Sequence, residues 1–194
     1  MKRAEQAVET RTALIEAAKR LFADRGYLNT KITDITAEAG RAAGSFYRHF
    51  ASKEELLKAL LAELAAASDS FAAAEEHKSD FADPDAIRYH VAAHWRVHRE
   101  HAATVLALRQ AALVSEDFAH TLEQFRRRQL DDLADHLAHV RNLPASVGTT
   151  LTLMSAMLDA PAHLPPGMPE EEAVEAATRF IYRALNGKDY PPQP

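Results

Sequence analysis

The sequence predicts an all-helical protein, and three observations support this fold class. Hydrophobic residues make up 47% of the 194 residues, so the chain can bury a substantial core. Helix-forming Ala and Leu dominate among them, whereas strand-forming β-branched residues are sparse. Apolar residues also recur at helical spacing along most of the chain. We therefore expect about nine helices and no strand.

Four helices are predicted in the N-terminal part of the chain from apolar spacing and cap residues. Gly26 suits the left-handed end of the first helix. Ser52 and Glu55 form a capping-box pattern at the start of the fourth. The predicted helices are Leu14–Phe22, Ile32–Ala39, Ala42–Phe50 and Ser52 to near Ala74.

Five further helices follow from the same signals, with Pro84 and Pro169 marking two of the starts. A proline-rich stretch from Pro161 to Pro169 is expected to be a loop, and Tyr190 to Pro194 a frayed tail. The predicted ranges are Pro84–His98, Ala102–Val114, a long helix over Phe118–Val140, Pro144–Leu158 and Glu170–Leu185.

The composition excludes several kinds of site and location. The chain contains no Cys, so it has no disulfide, no thiolate zinc site and no cysteine nucleophile. Its first residues are charged, unlike a secretory leader. The longest uncharged run, Asn142 to Leu158, is too short and too polar to span a bilayer. We expect a cytoplasmic protein without a membrane partner.

Charge divides the chain into a basic head and an acidic body. The whole chain carries a net charge of −5, yet residues 1–53 hold ten Lys and Arg against six Asp and Glu. The head is therefore net positive, and a polyanion is its natural partner. This division is typical of a protein whose head, residues 1–53, meets a polyanion such as DNA, with a chance surface pattern as the alternative, and whose second helical domain spans residues 54–190.

The two short helices in the basic head are a candidate helix-turn-helix, in which the second helix lies in the major groove. Residues 12–57 also resemble, in order and spacing, the N-terminal DNA-binding domain of TetR-family transcriptional repressors. The motifs that carry this resemblance are Gly26-Tyr27, Thr30-x-Ile32-x-Asp34-Ile35-Thr36-x-x-Ala39-Gly40, Gly44-Ser45-Phe46-Tyr47-x-x-Phe50 and Ser52-Lys53-Glu54-Glu55-Leu56-Leu57.

The resemblance implies a function for the whole chain. A TetR-like protein is a ligand-responsive regulator, usually a repressor, which binds operator DNA as a homodimer. A small molecule bound in the C-terminal helical domain releases it. On this interpretation the chain is not an enzyme and needs no cofactor or metal.

The resemblance also implies which residues contact DNA. Tyr47, Ser45, His49 and Lys53 are expected at phosphates, although Tyr47 is also suited to simple packing. Arg48 is the best candidate to read a base, expected to be guanine, with a phosphate contact as the alternative. The full predicted set is Thr30, Lys31, Thr33, Arg41, Ala42, Ala43, Gly44, Ser45, Tyr47, Arg48, His49 and Lys53.

Two residues depart from the family pattern. Arg41 stands where a small apolar turn residue is usual, so it either reaches a phosphate or loosens the turn. Lys31 occupies a usual Ser or Thr cap position, which predicts that Thr30 takes over as the helix cap.

The acidic body is expected to hold a ligand pocket and a dimer interface. Aromatic residues and methionines at helical spacing predict the pocket, although such residues also build ordinary cores. The candidate pocket residues are Tyr89, His90, His94, Trp95, Phe118, Leu122, Phe125, Leu151 and Met154. The dimer interface is expected on the last two helices, unless these faces are core within one chain. It would involve Val147, Leu151, Leu158, Val174, Ala177, Ile181 and Leu185.

Four histidines, His90, His94, His98 and His101, fall on one helical stripe. Histidines at i and i+4 can share a metal ion, so a metal-responsive or metal-dependent helical protein is the alternative function. The simpler interpretation is a polar helix face. A third hypothesis is a helical ligand carrier that has lost DNA binding.

Overall fold

The computed structural model describes residues 2–159 and 168–187, which contain helices and no strand, as expected. Part of the expected loop Pro161–Pro169, and the expected tail, lie outside these residues. The α-helices are α1 Lys2–Arg25, α2 Ile32–Glu38, α3 Lys53–Ala72, α4 Pro84–Glu100, α5 Ala102–Val114, α6 Glu116–Asp131, α7 Val147–Leu158 and α8 Glu170–Asn186. Two 3-10 helices span Ala43–Arg48 and Ala134–Leu137.

The chain forms two compact units. The first contains Met1–Ala67 together with Glu100–Glu123. The second contains Ser68–Arg99 together with Gln124–Pro194. Each unit has its own buried apolar side chains, so each is described separately.

The core of the first unit forms beneath the N-terminal helices. Apolar side chains at helical spacing on α1 and α3 are almost completely buried, as the periodicity predicts. Helix α2 and the first 3-10 helix add one large apolar side chain each. The buried residues include Leu14, Ile15, Ala18, Phe22, Ile35, Phe46, Leu56, Leu57 and Leu60.

Helix α1 ends at a turn that Tyr27 fixes to other parts of the first unit. Gly26 follows the helix at φ +80°, a conformation that favours glycine. The Tyr27 backbone N–H donates to Oε1 of Gln110 on α5 at 2.8 Å. Its hydroxyl donates to Oε1 of Glu54 on α3 at 3.2 Å. This residue therefore joins the end of α1 to both α3 and α5.

The caps of α2 and α3 show which sequence signals are used. At α3, the Glu55 N–H donates to the Ser52 hydroxyl, and the Glu55 carboxylate accepts from the N–H of Ala51, close to the expected capping box. At α2 the prediction was wrong, because Lys31 is the cap residue. The hydroxyl of Thr30 instead donates back to the Gly26 carbonyl at 2.7 Å and stabilises the preceding turn.

The second unit has a continuous apolar core to which α4, α7 and α8 contribute. Polar groups at its edge are hydrogen-bonded. The indole N–H of Trp95 donates to the Leu158 carbonyl at 3.1 Å, and the Asn186 amide donates to the Phe81 carbonyl at 3.0 Å. The fully or nearly buried members include Phe81, Ile87, Val91, Trp95, Leu137, Leu151, Val174, Ile181 and Leu185.

Two helix boundaries in the second half of the chain differ from the prediction. The expected long helix over Phe118–Val140 ends at Asp131, and a 3-10 helix follows. The His136 carbonyl there accepts from the N–H of Phe81 at 2.9 Å, so a tertiary contact uses a group that a longer α-helix would need. Helix α7 starts at Val147 rather than at Pro144, because Ser146 supplies the N-cap.

No helix in residues 2–159 and 168–187 is long and apolar enough to cross a membrane.

We predict that Gly26→Ala destabilises the first unit by about 2 kcal/mol. A Cβ at residue 26 forces strain at positive φ and lies 3.1 Å from Oε1 of Gln110, the atom that binds the Tyr27 N–H. Gly40→Ala carries the strain without a neighbour within 4 Å, so its cost is expected to be about 1 kcal/mol.

Urea unfolding of the purified variants measures these free energies. Gly44→Ala is the matched control, because Gly44 has neither positive φ nor a neighbour within 4 Å. Equal costs for Gly26→Ala and Gly40→Ala would contradict the proposed importance of the Gln110 contact.

Candidate functional site

Helix α2 and the first 3-10 helix form the helix–turn–helix pair. Gly40, at φ +64°, turns the chain after α2, and the Arg41 N–H donates to the Thr36 carbonyl at 2.9 Å. The side chains of Ile35 on α2 and Phe46 on the 3-10 helix are completely buried. Because those side chains point inward, their neighbours Tyr47 and Arg48 face solvent.

The second helix of the pair is shorter and tighter than predicted. An α-helix was expected over Ala42–Phe50, whereas a 3-10 helix spans Ala43–Arg48. The Ser45 N–H donates to the Ala42 carbonyl at 2.8 Å, three residues earlier. Gly44 within the segment disfavours a regular α-helix, which is one reason for the difference.

Most of the predicted DNA contacts lie on the surface. Tyr47 is 64% exposed, so the alternative that its ring is a packing element is not observed. Its ring contacts only the edge of Phe46 among the aromatic side chains of the described residues. Arg41, His49 and Lys53 are partly exposed. The exposed predicted residues are Lys31, Thr33, Ala42, Ala43, Gly44, Tyr47 and Arg48.

Two predicted contact residues are buried instead. Thr30 is 1% exposed, and its hydroxyl donates a hydrogen bond to the Gly26 carbonyl. Ser45 is 4% exposed, and its hydroxyl oxygen has no hydrogen-bond partner among the described residues. In this conformation neither hydroxyl faces solvent, so a phosphate contact through either side chain is inconsistent with its position.

Intramolecular ion pairs neutralise much of the positive charge in the head. Arg41 pairs with Glu9 at 3.0 Å, which explains how the unusual turn residue is accommodated. Two further pairs hold the carboxylates of α2, Arg20–Glu38 at 2.8 Å and Arg25–Asp34 at 3.3 Å. Within the described residues, the Lys31 ammonium and the Arg48 guanidinium form no such pair. These two cations therefore dominate the solvent-facing positive charge of the pair.

Lys53 has a structural role that the sequence did not indicate. Its ammonium donates to the carbonyls of Tyr27 and Thr30, both at 2.8 Å, and lies 3.9 Å from the centre of the Tyr27 ring. Burial lowers the pKa of this lysine. Because an ammonium has three N–H donors, one remains for the phosphate contact that the resemblance implies.

The candidate pocket residues are divided between the two units. Phe118 and Leu122 belong to the first unit and the other seven to the second. In the second unit, Trp95 and Leu151 are core residues, with Met154 packed against them. The Tyr89 hydroxyl donates to the Phe71 carbonyl at 2.7 Å. A ligand pocket formed by this set remains a prediction.

The predicted dimer residues are mostly buried within one chain, and a dimer interface that includes them stays a prediction. Helical spacing identifies an apolar face but does not say whether the same chain or a partner covers it. Val147 remains 39% exposed. Leu151, Val174, Ile181 and Leu185 belong to the core of the second unit, and Leu158 and Ala177 pack against that core.

The four histidines of the predicted stripe do not form one site. His90 meets His77 and His136, whereas His94 and His98 lie near Asp159. His101 precedes α5 in the first unit. Histidines spread along one helix cannot all reach a single point. Each group is therefore completed by residues from distant parts of the sequence. No local spacing could have identified His77 as a neighbour of His90.

Sequence comparison supports the helix–turn–helix interpretation. The profile described as "Bacterial regulatory proteins, tetR family" matches residues 14–60. The chain is 45% identical over 80 residues to the HTH-type transcriptional regulator TtgR of Pseudomonas putida. This alignment covers 41% of this chain and 38% of that protein. It is 49% identical over 51 residues to the HTH-type transcriptional repressor KstR2 of Mycobacterium tuberculosis, covering 26% of each. The matches thus span well under half the length of these relatives.

Structural comparison extends the likeness of fold over nearly the whole chain. The fatty acid degradation regulator FadR from Bacillus halodurans aligns with a TM-score of 0.73 and 17% identity, covering 91% of this chain and 96% of that one. A TetR-like transcriptional regulator from Rhodococcus sp. RHA1 aligns with a TM-score of 0.71 and 19% identity, covering 92% and 97%. At this identity the alignments establish the fold alone.

These relatives are named as regulators and not as enzymes, which agrees with the expectation of a non-enzymatic protein. Residues 14–60 therefore match the DNA-binding domain of the TetR family of bacterial regulatory proteins, and the all-helical fold of the chain is similar to that of solved TetR-like regulators.

Proposed function

We propose that this chain is a homodimeric repressor that binds operator DNA through residues 1–53 and is released by a small molecule bound in residues 54–190. The observation that carries the proposal is the helix–turn–helix pair, in which Tyr47 and Arg48 face solvent beside the buried Phe46. Acting on chromosomal DNA places the protein in the cytoplasm.

Each exposed side chain of the pair has a distinct role in this proposal. Arg48 carries five N–H donors in a planar fork, which suits the O6 and N7 acceptors of guanine. The Tyr47 hydroxyl donates to a phosphate, which positions the helix without reading sequence. Ala42 and Ala43 can contact a thymine methyl group but cannot form bidentate hydrogen bonds. Sequence reading therefore depends mainly on Arg48.

Helices α7 and α8 supply the proposed dimer interface through faces other than those predicted. Helix α7 contains no charged residue, although one side of it is exposed. On α8, Phe180 is 64% exposed and lies between the exposed Ala176 and Ala184 at intervals of four residues. Exposed small and apolar residues at helical spacing favour close packing with another helix. The exposed residues of α7 are Val147, Gly148, Thr149, Thr152, Leu153 and Ala156.

A dimer explains how a ligand would control DNA binding. Two heads related by a twofold axis contact half-sites about 34 Å apart along the duplex. A ligand in residues 54–190 reduces DNA affinity only to the extent that it binds a different head spacing more tightly. Its chemical identity does not follow from the core residues described above.

The direct test of the proposal is selection of binding sites from a random duplex library, together with gel shifts on DNA upstream of the gene. We expect selection of a palindromic site. If each head makes three phosphate contacts, affinity should fall roughly a thousandfold between 50 and 200 mM salt. A well-folded protein that binds no duplex even in dilute buffer would overturn the function and favour a ligand carrier.

We predict that Arg48→Ala weakens binding to the selected site by about 1–3 kcal/mol at one base pair per half-site and relaxes preference at that position. Tyr47→Phe should instead cost about 1.5 kcal/mol per head on specific and random DNA alike, because it removes a charge-assisted hydrogen bond to a phosphate. Fluorescence anisotropy on matched specific and random duplexes measures both effects.

The two variants control for each other, since both residues are exposed and neither substitution should change the unfolding free energy by more than about 0.5 kcal/mol. An equal loss for Arg48→Ala on both duplexes would assign this arginine to a phosphate instead of a base.

We predict that Phe180→Glu converts the dimer to a monomer at micromolar concentration, because it places a charge in an apolar interface. Sedimentation velocity measures the change. Leu113→Glu is the control, since Leu113 is 82% exposed on α5, outside the proposed interface. A Phe180→Glu variant that remains dimeric, or a Leu113→Glu variant that becomes monomeric, would place the interface elsewhere.

A further inference from the structure

We propose that His77, His90 and His136 bind one divalent transition-metal ion, with Zn²⁺ the best fit and a fourth coordination position left for water or a small ligand. The three side chains lie in the second unit, in the connection after α3, on α4 and on the second 3-10 helix. The proposal does not depend on the proposed repressor function.

The spacing of the ring nitrogens matches tetrahedral coordination. His77 Nε2 lies 3.3 Å from His90 Nε2 and 3.2 Å from His136 Nε2. One ligand nitrogen of each histidine lies within 4.8 Å of the others. At Zn–N distances of 2.0–2.1 Å, two nitrogens on a tetrahedral ion are about 3.3 Å apart. The two separations from His77 Nε2 therefore match the spacing that one ion requires, and the third pair of ligand nitrogens lies within 4.8 Å.

The surroundings of His90 select the tautomer that can bind a metal. Its Nδ1 lies 2.9 Å from the Ala86 carbonyl, which can only accept, so Nδ1 carries the hydrogen and Nε2 keeps its lone pair. A metal-binding histidine commonly donates its second N–H to a backbone carbonyl in this way.

Hydrogen bonds among the three histidines cannot satisfy all of their ring nitrogens. The Nε2 atom of His77 has either one hydrogen or one lone pair, yet it faces two other Nε2 atoms at distances longer than a typical hydrogen bond. His136 is buried, and its Nδ1 has no partner among the described residues. A single cation would use the Nε2 lone pairs of all three rings at once.

Aromatic packing and a backbone hydrogen bond hold the ligands in place. The Phe81 ring contacts both His90 and His136, with ring centres 5.0 and 5.1 Å apart. The Phe81 N–H also donates to the His136 carbonyl. A set of three imidazoles favours Zn²⁺, Cu²⁺ or Ni²⁺ over Mg²⁺ and Ca²⁺, which prefer oxygen ligands.

The other histidine cluster is less suited to a metal. His94 and His98 stack with ring centres 4.0 Å apart, and they share the neighbourhood of Asp159. The Asp159 carboxylate lies 3.6 Å from the Arg126 guanidinium, which already offsets its charge. This cluster therefore serves as the competing site in the experiment.

The test titrates the full-length, metal-free protein with Zn²⁺ by calorimetry and with Co²⁺ by visible absorption. We expect one ion per chain and the absorption of tetrahedral Co²⁺. His77→Ala removes a ligand from a connecting segment at low risk to folding and should weaken Zn²⁺ binding by more than about 100-fold. His136→Asn tests the buried ligand, with circular dichroism to confirm that the variant folds.

His139→Ala is the matched control, because this exposed histidine lies near His136 in sequence but outside the cluster. Its affinity should stay within about twofold of the wild type. The proposal is overturned if the folded wild type binds no Zn²⁺ at micromolar concentration, or if His77→Ala binds as tightly as wild type. Loss of binding in His98→Ala but not in His77→Ala would overturn it in favour of the second cluster.

Discussion

The hydrogen bonds around Tyr27 are the constraint on which the first unit depends. The backbone N–H reaches Gln110 on α5, the hydroxyl reaches Glu54 on α3, and the carbonyl accepts from Lys53. Burial and the nearby Glu54 charge raise the pKa of the phenol, so it remains a hydrogen-bond donor. Because α2 starts five residues beyond Tyr27, the position of the helix–turn–helix pair depends on how firmly Tyr27 is held.

The proposed DNA surface follows from what lies beneath it. Complete burial of Phe46 directs Tyr47 and Arg48 outward, as adjacent residues on a short helix must point in different directions. The ion pairs of α1 with α2 and of Arg41 with Glu9 then offset the charge of other cations near this surface. A protein with an overall negative charge can therefore still present a local cationic site.

Local sequence signals predicted the first unit well, because its turns use glycine at positive φ and side-chain caps that act within a few residues. Gly26 ends α1 at positive φ as expected, and Ser52 caps the start of α3 with Glu55 reaching back to the Ala51 N–H, one residue before the expected partner. Distant contacts were beyond such signals. The 3-10 helix that follows α6 accepts a hydrogen bond from Phe81 at His136, and His77 meets His136 across 59 residues. The same limit affected α7 and α8, where spacing revealed an apolar face but not which molecule covers it.

The absence of charge along α7 has a consequence for the protein at low concentration. A lone chain leaves Leu153 and its small neighbours in water without a charged residue on that helix to oppose unwanted association. The proposed dimer covers these side chains, so on that proposal thermal denaturation midpoints rise with protein concentration. In a cell that makes few copies, more of the protein would be monomeric. Its chromosomal sites would then be less occupied, and the protein itself would be more exposed to proteolysis.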